Sequence, residues 1–323
     1  MNLNLKLFFV LLIIFATKVS AQTDVMVSRQ VTLMGSVFNI TLVDQDSAKA
    51  NQNIDKTIAE IERIENLISE WRPQTQISEV NRNAGIMSVK VDKEVFDLTK
   101  RAIEYSKMSN GAFDISTAAM DKIWKFDGSM TEMPTQEEIK NSVRNVGYEH
   151  IILDSLQSTI YLSKKGMKIG FGSIGKGYAA DKGRELMQTL GVKSGIVDAS
   201  GDIATWGTQP NGEAWAIGIR NPFKKHKIAK VLKLKNAAVA TSGSYEKYAE
   251  INTIRYSHII NPKTGMPATG LTSVTIDGPS AEFANFLSTS SMVLGEKEGK
   301  KLLKKFPRYR YLMITDGGKI IKK

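Results

Sequence analysis

The sequence has 323 residues, a formal net charge of +11 and no cysteine. The lack of cysteine excludes thiol nucleophiles, iron–sulfur clusters, disulfides and the lipid-modified cysteine of a bacterial lipoprotein. The length allows either two lobes or one large domain, and either can bury a core without disulfides.

The first predicted element is an export signal. An early lysine is followed by an unbroken apolar run at residues 7–16 and by the small-residue site Val19-Ser20-Ala21, which is typical of a secretory signal. We therefore predict a signal peptide at residues 1–21, cleaved after Ala21, and an exported, periplasmic protein at residues 22–323. An uncleaved anchor is the alternative, although the apolar run is about half the length that a membrane-spanning helix needs.

The predicted mature chain remains basic. Its net charge falls from +11 to +9, because Lys6 and Lys18 are removed and no acidic residue is. Much of the excess lies at residues 297–305, in a pattern typical of a solvated amphipathic helix. The charge favours acidic ligands or anionic surfaces. We predict no nucleic-acid binding, and peripheral membrane association remains open.

Periodicity along the chain predicts an α+β fold. Residues 30–43 alternate as two short strands or one bent strand do, and residues 46–71 show the spacing of a helix of about six turns. Residues 92–109 predict a second helix, ended by Asn110-Gly111. Further strands are predicted at 151–154, 159–162, 194–198, 215–219, 230–234, 237–241 and 273–276, and further helices at 178–190, 280–294 and 296–306. This order favours mixed, largely antiparallel sheets flanked by helices.

The segment KIGFGSIGKG at residues 168–177 has the composition of a phosphate-binding turn. Its G-x-G-x-x-G spacing, with Asp198 after the next strand, matches a Rossmann dinucleotide fingerprint, but residues 164–169 are polar where that fold has a buried strand. A P-loop would require a metal-binding hydroxyl that is missing here. A glycine turn that only packs a helix onto a sheet is the third interpretation. Helix-start N–H groups and Lys176 would in any case suit a phosphate.

Two further segments carry candidate functional side chains. His258 ends a predicted strand before an Asn-Pro turn, where a loop could present it as a general base, and a purely structural histidine is the alternative. Asn285 and Thr289 share one face of a predicted helix, with Ser288 beside them. These oxygen donors could complete a hard-cation site, although such cations usually recruit a carboxylate; helix packing is the alternative.

Eight segments, taken in order, resemble the ApbE-type FAD:protein FMN transferases of bacteria, from about Met34 to Gly295. They are Met34-Gly35, Ser69-Glu70-Trp71 with ISEVN at 77–81, GAFD at 111–114, GSIGKGYAAD at 172–181, DASGD at 198–202, TSGSYEKY at 241–248, HIINPKTG at 258–265 and NFLST at 285–289. The resemblance implies a two-lobed fold. It also implies a reaction in which a Ser or Thr hydroxyl of an acceptor protein attacks the FMN-side phosphorus of FAD and AMP leaves.

The resemblance further implies FAD as substrate, Mg²⁺ as cofactor and an acceptor protein of a flavin-carrying electron-transfer system as partner. The residues implied to line the flavin nucleotide are Met34, Trp71, Ala112, Phe113, Asp114, Gly170, Lys176 and Ile260. Those implied to surround the metal are Ser173, Asn285, Ser288 and Thr289. His258 is the first candidate for the proton acceptor and Asp202 the second.

Three positions depart from the family pattern: Gly170, Asn261 and Asn285 each stand where many relatives have aspartate. Gly170 removes a carboxylate from the nucleotide site. Asn285 keeps an oxygen ligand but loses a full negative charge, which predicts weaker Mg²⁺ affinity. Two alternative functions follow, a flavin-binding protein that transfers nothing and an FAD pyrophosphatase that gives FMN and AMP.

Overall fold

The computed structural model describes residues 24–224, 226–245 and 247–323, so the predicted signal peptide lies outside the described residues. The helices are α1 Ser47–Ile68, α2 Gln76–Arg82, α3 Lys93–Met108, α4 Gln136–Ser142, α5 Gly175–Thr189 and α6 Ala281–Lys304. The strands are β1 Val25–Leu33, β2 Ser36–Asp44, β3 Val89–Lys90, β4 Ile151–Asp154, β5 Thr159–Leu162, β6 Ser194–Ala199, β7 Asp202–Trp206, β8 Trp215–Arg220, β9 Ile228–Leu234, β10 Ala238–Gly243, β11 Tyr248–Ile251, β12 Ile254–Ser257, β13 Leu271–Gly278, β14 Arg310–Thr315 and β15 Ile320–Lys322. None of the helices in these ranges is long and apolar enough to cross a membrane.

An eight-stranded sheet organises the larger part of the protein. Its order is β1-β2-β6-β7-β10-β13-β14-β15, and every neighbouring pair is antiparallel. Helices α1, α5 and α6 pack side by side on one face. The β8–β9 hairpin covers the other face, where Leu232 and Leu234 contact a cluster that includes Ile203 and Val239. Because both faces are covered, all residues of the central strands β7 and β13 are buried.

A smaller part is formed by α2, α3 and the three-stranded sheet β3-β5-β4. The main hydrophobic core runs through both parts without a break. A separate small core, made by Trp124, Ile139 and Ile251, underlies the β11–β12 hairpin. The α+β prediction, with largely antiparallel sheets flanked by helices, is confirmed.

The long helices carry the caps and breaks that the sequence indicates, although some of their bounds differ from the prediction. Asp46 caps α1 by accepting the Lys49 N–H at 2.7 Å, while the predicted end of α1 was three residues too late. Asn110 and Gly111 follow α3 with φ values of 52° and 73°, the left-handed conformation expected there. Gly295, with φ 72°, kinks α6, so the two helices predicted on either side of this residue are confirmed.

The glycine-rich segment is not a Rossmann turn. The residues before Gly170 form no strand, and the strands on either side of α5, β5 and β6, belong to different sheets. A dinucleotide fingerprint needs a strand, turn, helix and second strand of one parallel sheet, so the Rossmann interpretation is wrong. Helix α5 begins at Gly175, earlier than predicted, which places Lys176 in its first turn.

Candidate functional site

A cavity of about 1190 Å³ lies where the two parts of the protein meet. Eleven of the fourteen predicted site residues line it: Trp71, Ala112, Phe113, Asp114, Ser173, Lys176, Asp202, His258, Ile260, Asn285 and Thr289. Met34, Gly170 and Ser288 are not part of its lining. The volume exceeds the roughly 300–1,000 Å³ of ordinary small-molecule sites, so the cavity can admit a large ligand.

The wall of the cavity carries charges of both signs. The cationic side chains are Arg82, Lys122, Lys168, Lys176 and Lys247, and the carboxylates are Glu70, Asp114, Asp121 and Asp202. A concave surface rich in lysine concentrates positive potential. Such a cavity suits a ligand that is anionic in one region and offers hydrogen-bond donors in another.

The start of α5 has features that suit an anionic group. Its N-cap residue, Ile174, makes no side-chain capping hydrogen bond, and Lys176 lies in the first turn. Uncapped N–H groups, the positive end of the helix dipole and an ammonium group together favour a phosphate.

Some glycines of this segment allow α5 to pack closely against neighbouring residues. A Cβ at Gly177 would lie 2.7 Å from the Ala281 carbonyl oxygen, and one at Gly175 would lie 3.3 Å from the Ile68 side chain. Only Gly172 combines a place on the cavity wall with open space around it, since the nearest atom to its Cβ position is 3.9 Å away. The packing interpretation is therefore correct for Gly175 and Gly177, and Gly172 leaves space for a ligand.

Asn285 holds the Asp202 carboxylate at the base of the cavity. Its Nδ2 donates to both carboxylate oxygens at 2.9 Å, and its Oδ1 accepts from the Thr289 hydroxyl at 3.3 Å. Burial raises the pKa of Asp202 to about 6, although the positive charge of Lys176 opposes the shift. The amide therefore satisfies a buried carboxylate that has no cation in direct contact among the described residues.

The cavity wall has oxygen donors that fit a hard cation. Ser173, Thr289 and Asn285 line the same cavity as Asp202, and Asn285 contacts the Asp202 carboxylate directly. Hydroxyl, amide and carboxylate oxygens suit Mg²⁺ rather than a soft metal. In the described ranges no three His, Cys, Asp or Glu side chains are grouped to hold a metal, so this is a site of low protein charge.

Ser288 lies behind the predicted metal ligands instead of on the wall. It is fully buried, its hydroxyl donates to the Asn285 carbonyl oxygen at 3.0 Å, and it lies 2.7 Å from the Ser242 hydroxyl. The Ser242 hydroxyl is in turn 3.1 Å from that of Thr289. Ser288 thus positions Ser242, which lines the cavity.

His258 reaches the cavity from the end of β12. Its Nδ1 lies 3.0 Å from the Lys247 carbonyl oxygen. Because a carbonyl only accepts, the neutral ring must carry its proton on Nδ1, which leaves the lone pair on Nε2. The Phe126 ring stands edge-on with its centroid 6.4 Å from the imidazole centroid. This arrangement fixes both the orientation and the tautomer of the histidine.

The residues predicted to line the flavin differ in exposure. Trp71 is 74% exposed, and the Lys122 ammonium lies 4.8 Å from its ring centroid. Phe113 is 2% exposed and packs edge-on against Tyr105 and Phe286. Trp71 can therefore stack on a planar ligand, whereas the Phe113 ring supports the wall from the core.

Asp114 also shapes the wall from behind. One of its oxygens accepts from the Ser116 N–H and hydroxyl, the other from the Tyr148 N–H at 2.9 Å. Burial raises the pKa of this carboxyl, and these hydrogen bonds oppose the shift. Met34 lies beside the start of α5, where its N–H donates to Glu65 at 3.1 Å.

Glu70 and Ser242 are two of the wall residues that sequence reasoning did not select. Glu70 and Ser242 both line the cavity, and both stand within segments that carry the family resemblance, SEW and TSGSYEKY. Their position within those segments was the only feature of the sequence that could have indicated a place in the site. Their importance depends on contacts with Gly170 and with α6, which lie far away in the sequence.

Comparisons with known proteins identify the family of this chain. The sequence model of the ApbE family matches residues 34–313. An FAD:protein FMN transferase of Treponema pallidum (strain Nichols) is 29% identical over 303 residues, which cover 89% of this chain and 84% of the relative. One from Haemophilus influenzae is 29% identical over 302 residues, or 90% of this chain and 87% of the relative.

Solved structures show the same fold. The crystal structure of the ApbE protein from Thermotoga maritima MSB8 has a TM-score of 0.84 and 29% identity, covering 92% of this chain and 97% of that one. The flavin transferase ApbE from Vibrio cholerae has a TM-score of 0.82 and 25% identity, covering 93% and 97%. The chain therefore belongs to the ApbE family and is a flavin transferase of the FAD:protein FMN transferase type.

Proposed function

We propose that this transferase depends on Mg²⁺ and moves FMN from FAD to a Ser or Thr hydroxyl of an acceptor protein. The hydroxyl oxygen forms a bond to the FMN-side phosphorus, the pyrophosphate P–O bond breaks, and AMP leaves with its electron pair. The observation that carries the proposal is that one cavity holds both the phosphate-binding start of α5 with Lys176 and the oriented imidazole of His258.

The proposed base is His258. A hydroxyl nucleophile must lose its proton as it attacks, and a neutral imidazole with its lone pair on Nε2 can accept that proton. The Lys247 carbonyl stabilises the resulting imidazolium, because it accepts from Nδ1–H in both protonation states. Asp202, the second candidate, is buried and hydrogen-bonded to Asn285, and it is the less accessible of the two.

Charge neutralisation is the other requirement of phosphoryl transfer. Lys176 and the N–H groups of α5 supply part of it from the protein itself. Bound Mg²⁺ would neutralise further charge on the pyrophosphate, and Ser173, Asn285 and Thr289 are the residues that would hold it. Ser288 contributes by positioning Ser242 and Thr289.

We also propose that the protein acts after export, in the periplasm, as one ApbE-type unit at residues 22–323. The apolar run and the Ala21 site support export. The acceptor we propose is a protein of a flavin-carrying electron-transfer system. The basic segment at residues 297–305 favours peripheral association with an anionic membrane surface.

The test is the intact mass of an acceptor domain after incubation with the protein, FAD and Mg²⁺, with AMP assayed in parallel. We expect a gain of one FMN per acceptor, matched by AMP and abolished by a chelator. FAD that is bound but unchanged would instead identify a flavin-binding protein. Release of FMN and AMP without an acceptor would identify an FAD pyrophosphatase.

A further inference from the structure

Glu70 is a carboxylate on the cavity wall that no part of the proposed reaction uses. It follows the end of α1 directly and lies between Ser69 and the exposed Trp71. It is half-buried. Most acidic residues in such a position are paired with a cation, because an unpaired charge near the protein interior is costly.

No cation balances this carboxylate in the part of the chain that the structure describes. Neighbouring acids are paired, since Glu65 binds Arg72 at 2.9 Å and Glu94 binds Arg63 at 2.7 Å, but Glu70 forms no salt bridge with a described residue. Burial raises the pKa of Glu70, and hydrogen bonds from its own N–H and from the Trp71 side chain only partly oppose the shift. Its negative charge is therefore uncompensated.

Gly170 makes room for the Glu70 carboxylate. A Cβ at position 170 would lie 2.7 Å from Glu70 Oε1 and 2.8 Å from its carboxyl carbon, distances that real side chains do not adopt. The φ of Gly170 is not in the left-handed region, so the backbone itself does not require glycine. The space of the missing side chain is taken instead by the Glu70 carboxylate, which would have to move for any other residue, and is bordered by the Ala118 methyl group at 3.2 Å.

We propose that Glu70 is a nucleotide-recognition residue of this transferase, and that Gly170 is present because Glu70 fills its place. The proposal rests on the proposed use of FAD as substrate. It assigns to Glu70 a hydrogen bond from an N–H or O–H group of the bound dinucleotide, away from the phosphates.

The chemistry of the site limits what Glu70 can bind. An ionised carboxylate only accepts hydrogen bonds, and it repels phosphate oxygens. The donors that FAD offers are the adenine amino group, the N–H of the flavin ring and the sugar hydroxyls. Any of these would replace the solvation that burial removes from Glu70.

The first test is equilibrium binding of FAD, FMN and ADP to Glu70→Ala. A charge-assisted hydrogen bond contributes enough that its loss weakens binding by about tenfold or more, and we expect this loss for FAD. If the variant also binds FMN more weakly but binds ADP normally, the hydrogen bond goes to the flavin half of FAD. If it binds ADP more weakly but FMN normally, the bond goes to the adenine half. Glu62→Ala is the matched control, since Glu62 is an exposed carboxylate on α1 outside the cavity.

The second test moves the carboxylate from position 70 to position 170. Gly170→Asp alone should bind FAD poorly, because its Cβ and its charge both meet Glu70. Glu70→Ala combined with Gly170→Asp should recover most of the lost affinity, since the side chain at 170 then occupies the emptied space. A purely structural role for Glu70 predicts no such recovery, and melting temperatures of all variants separate folding from binding.

Wild-type FAD affinity in Glu70→Ala would overturn the proposal, and so would a double variant no better than Gly170→Asp. Failure of the proposed transfer reaction gives a different result. In that case the wild-type protein binds FAD and modifies no acceptor, while the binding differences among these variants remain measurable.

Discussion

At the scale of single residues, the orientation of His258 yields the sharpest prediction. Its Nδ1 faces the Lys247 carbonyl oxygen, so the neutral ring is set to accept a proton on Nε2. We expect His258→Ala to slow FMN transfer by about 100-fold or more, the usual contribution of a general base, and to leave FAD affinity unchanged. Single-turnover transfer to the acceptor measures the rate.

His150→Ala is the control for this experiment, because His150 is the neighbour of Glu149 and is not part of the cavity lining. It should transfer FMN at the wild-type rate. Full activity in His258→Ala would remove the histidine from the mechanism and make Asp202 the next residue to change.

Asn285 gives a second prediction at this scale. Asn285→Asp would place two carboxylates in contact, because the present Nδ2 lies 2.9 Å from both Asp202 oxygens. Without a cation the repulsion should lower the melting temperature of the protein. With Mg²⁺ the added charge should tighten metal binding and raise the melting temperature more than in the wild type. A metal titration that shows no tightening would contradict this expectation.

Site residues could be predicted where they belong to a recognisable sequence motif. They could not be predicted where their role depends on a contact with a residue far away in the sequence. Helical spacing correctly placed Asn285 and Thr289 on the cavity side of α6. The same spacing could not show that Ser242, on β10, lies against the Ser288 hydroxyl. Nor could it show that Glu70 fills the space beside Gly170, because that contact joins two segments far apart in the chain.

At the scale of elements, we expect some glycines of the glycine-rich turn to be needed for packing and others for ligand binding. Gly177→Ala would bring a methyl group within 2.7 Å of the Ala281 carbonyl oxygen, where α5 meets the start of α6. Overpacking of this kind costs about 1–3 kcal/mol, which a lower urea midpoint would reveal. Gly172→Ala has open space at its Cβ, so its stability should be unchanged while FAD binding weakens. Equal loss of stability in both variants would contradict the division.

Elements were predictable in proportion to the length of their pattern. Helix α1 carries enough residues for its helical period to be recognised, whereas the prediction at residues 30–43 covered β2 and only the end of β1. Helices α2 and α4 have seven residues each, too few for a helical period to be distinguished. Strand β7 is buried on both faces and therefore has no alternation, so it was missed.

At the scale of the whole molecule, an ion pair between a buried carboxylate and a partly exposed arginine joins the two parts that form the cavity. Glu282, at the start of α6, is 6% exposed and accepts from Arg101 of α3 at 2.9 and 3.0 Å and from the Tyr105 hydroxyl at 2.8 Å. Arg101→Met would leave the buried Glu282 carboxylate without its cation, and because Arg101 is partly exposed the cost should fall below the about 3–5 kcal/mol of a fully buried pair and above that of a surface pair. Chemical unfolding should show this loss.

The exposed pair of Lys93 and Asp97 on the same helix provides the matched control. Lys93→Met removes an equal charge from the surface, where such pairs contribute about 0–1 kcal/mol. If both variants unfolded at the same denaturant concentration, Arg101 would have no special part in joining α3 to α6.

The small core of Trp124, Ile139 and Ile251 has a consequence for local opening. This core, separate from the main one, supports the β11–β12 hairpin that carries His258, whereas α5 and α6 rest on the main core. Segments with few buried contacts open with a smaller free energy than the whole protein. Amide hydrogens of β11 and β12 should therefore exchange with deuterium well before those of α5, so that the two ends of one cavity unfold on separate timescales.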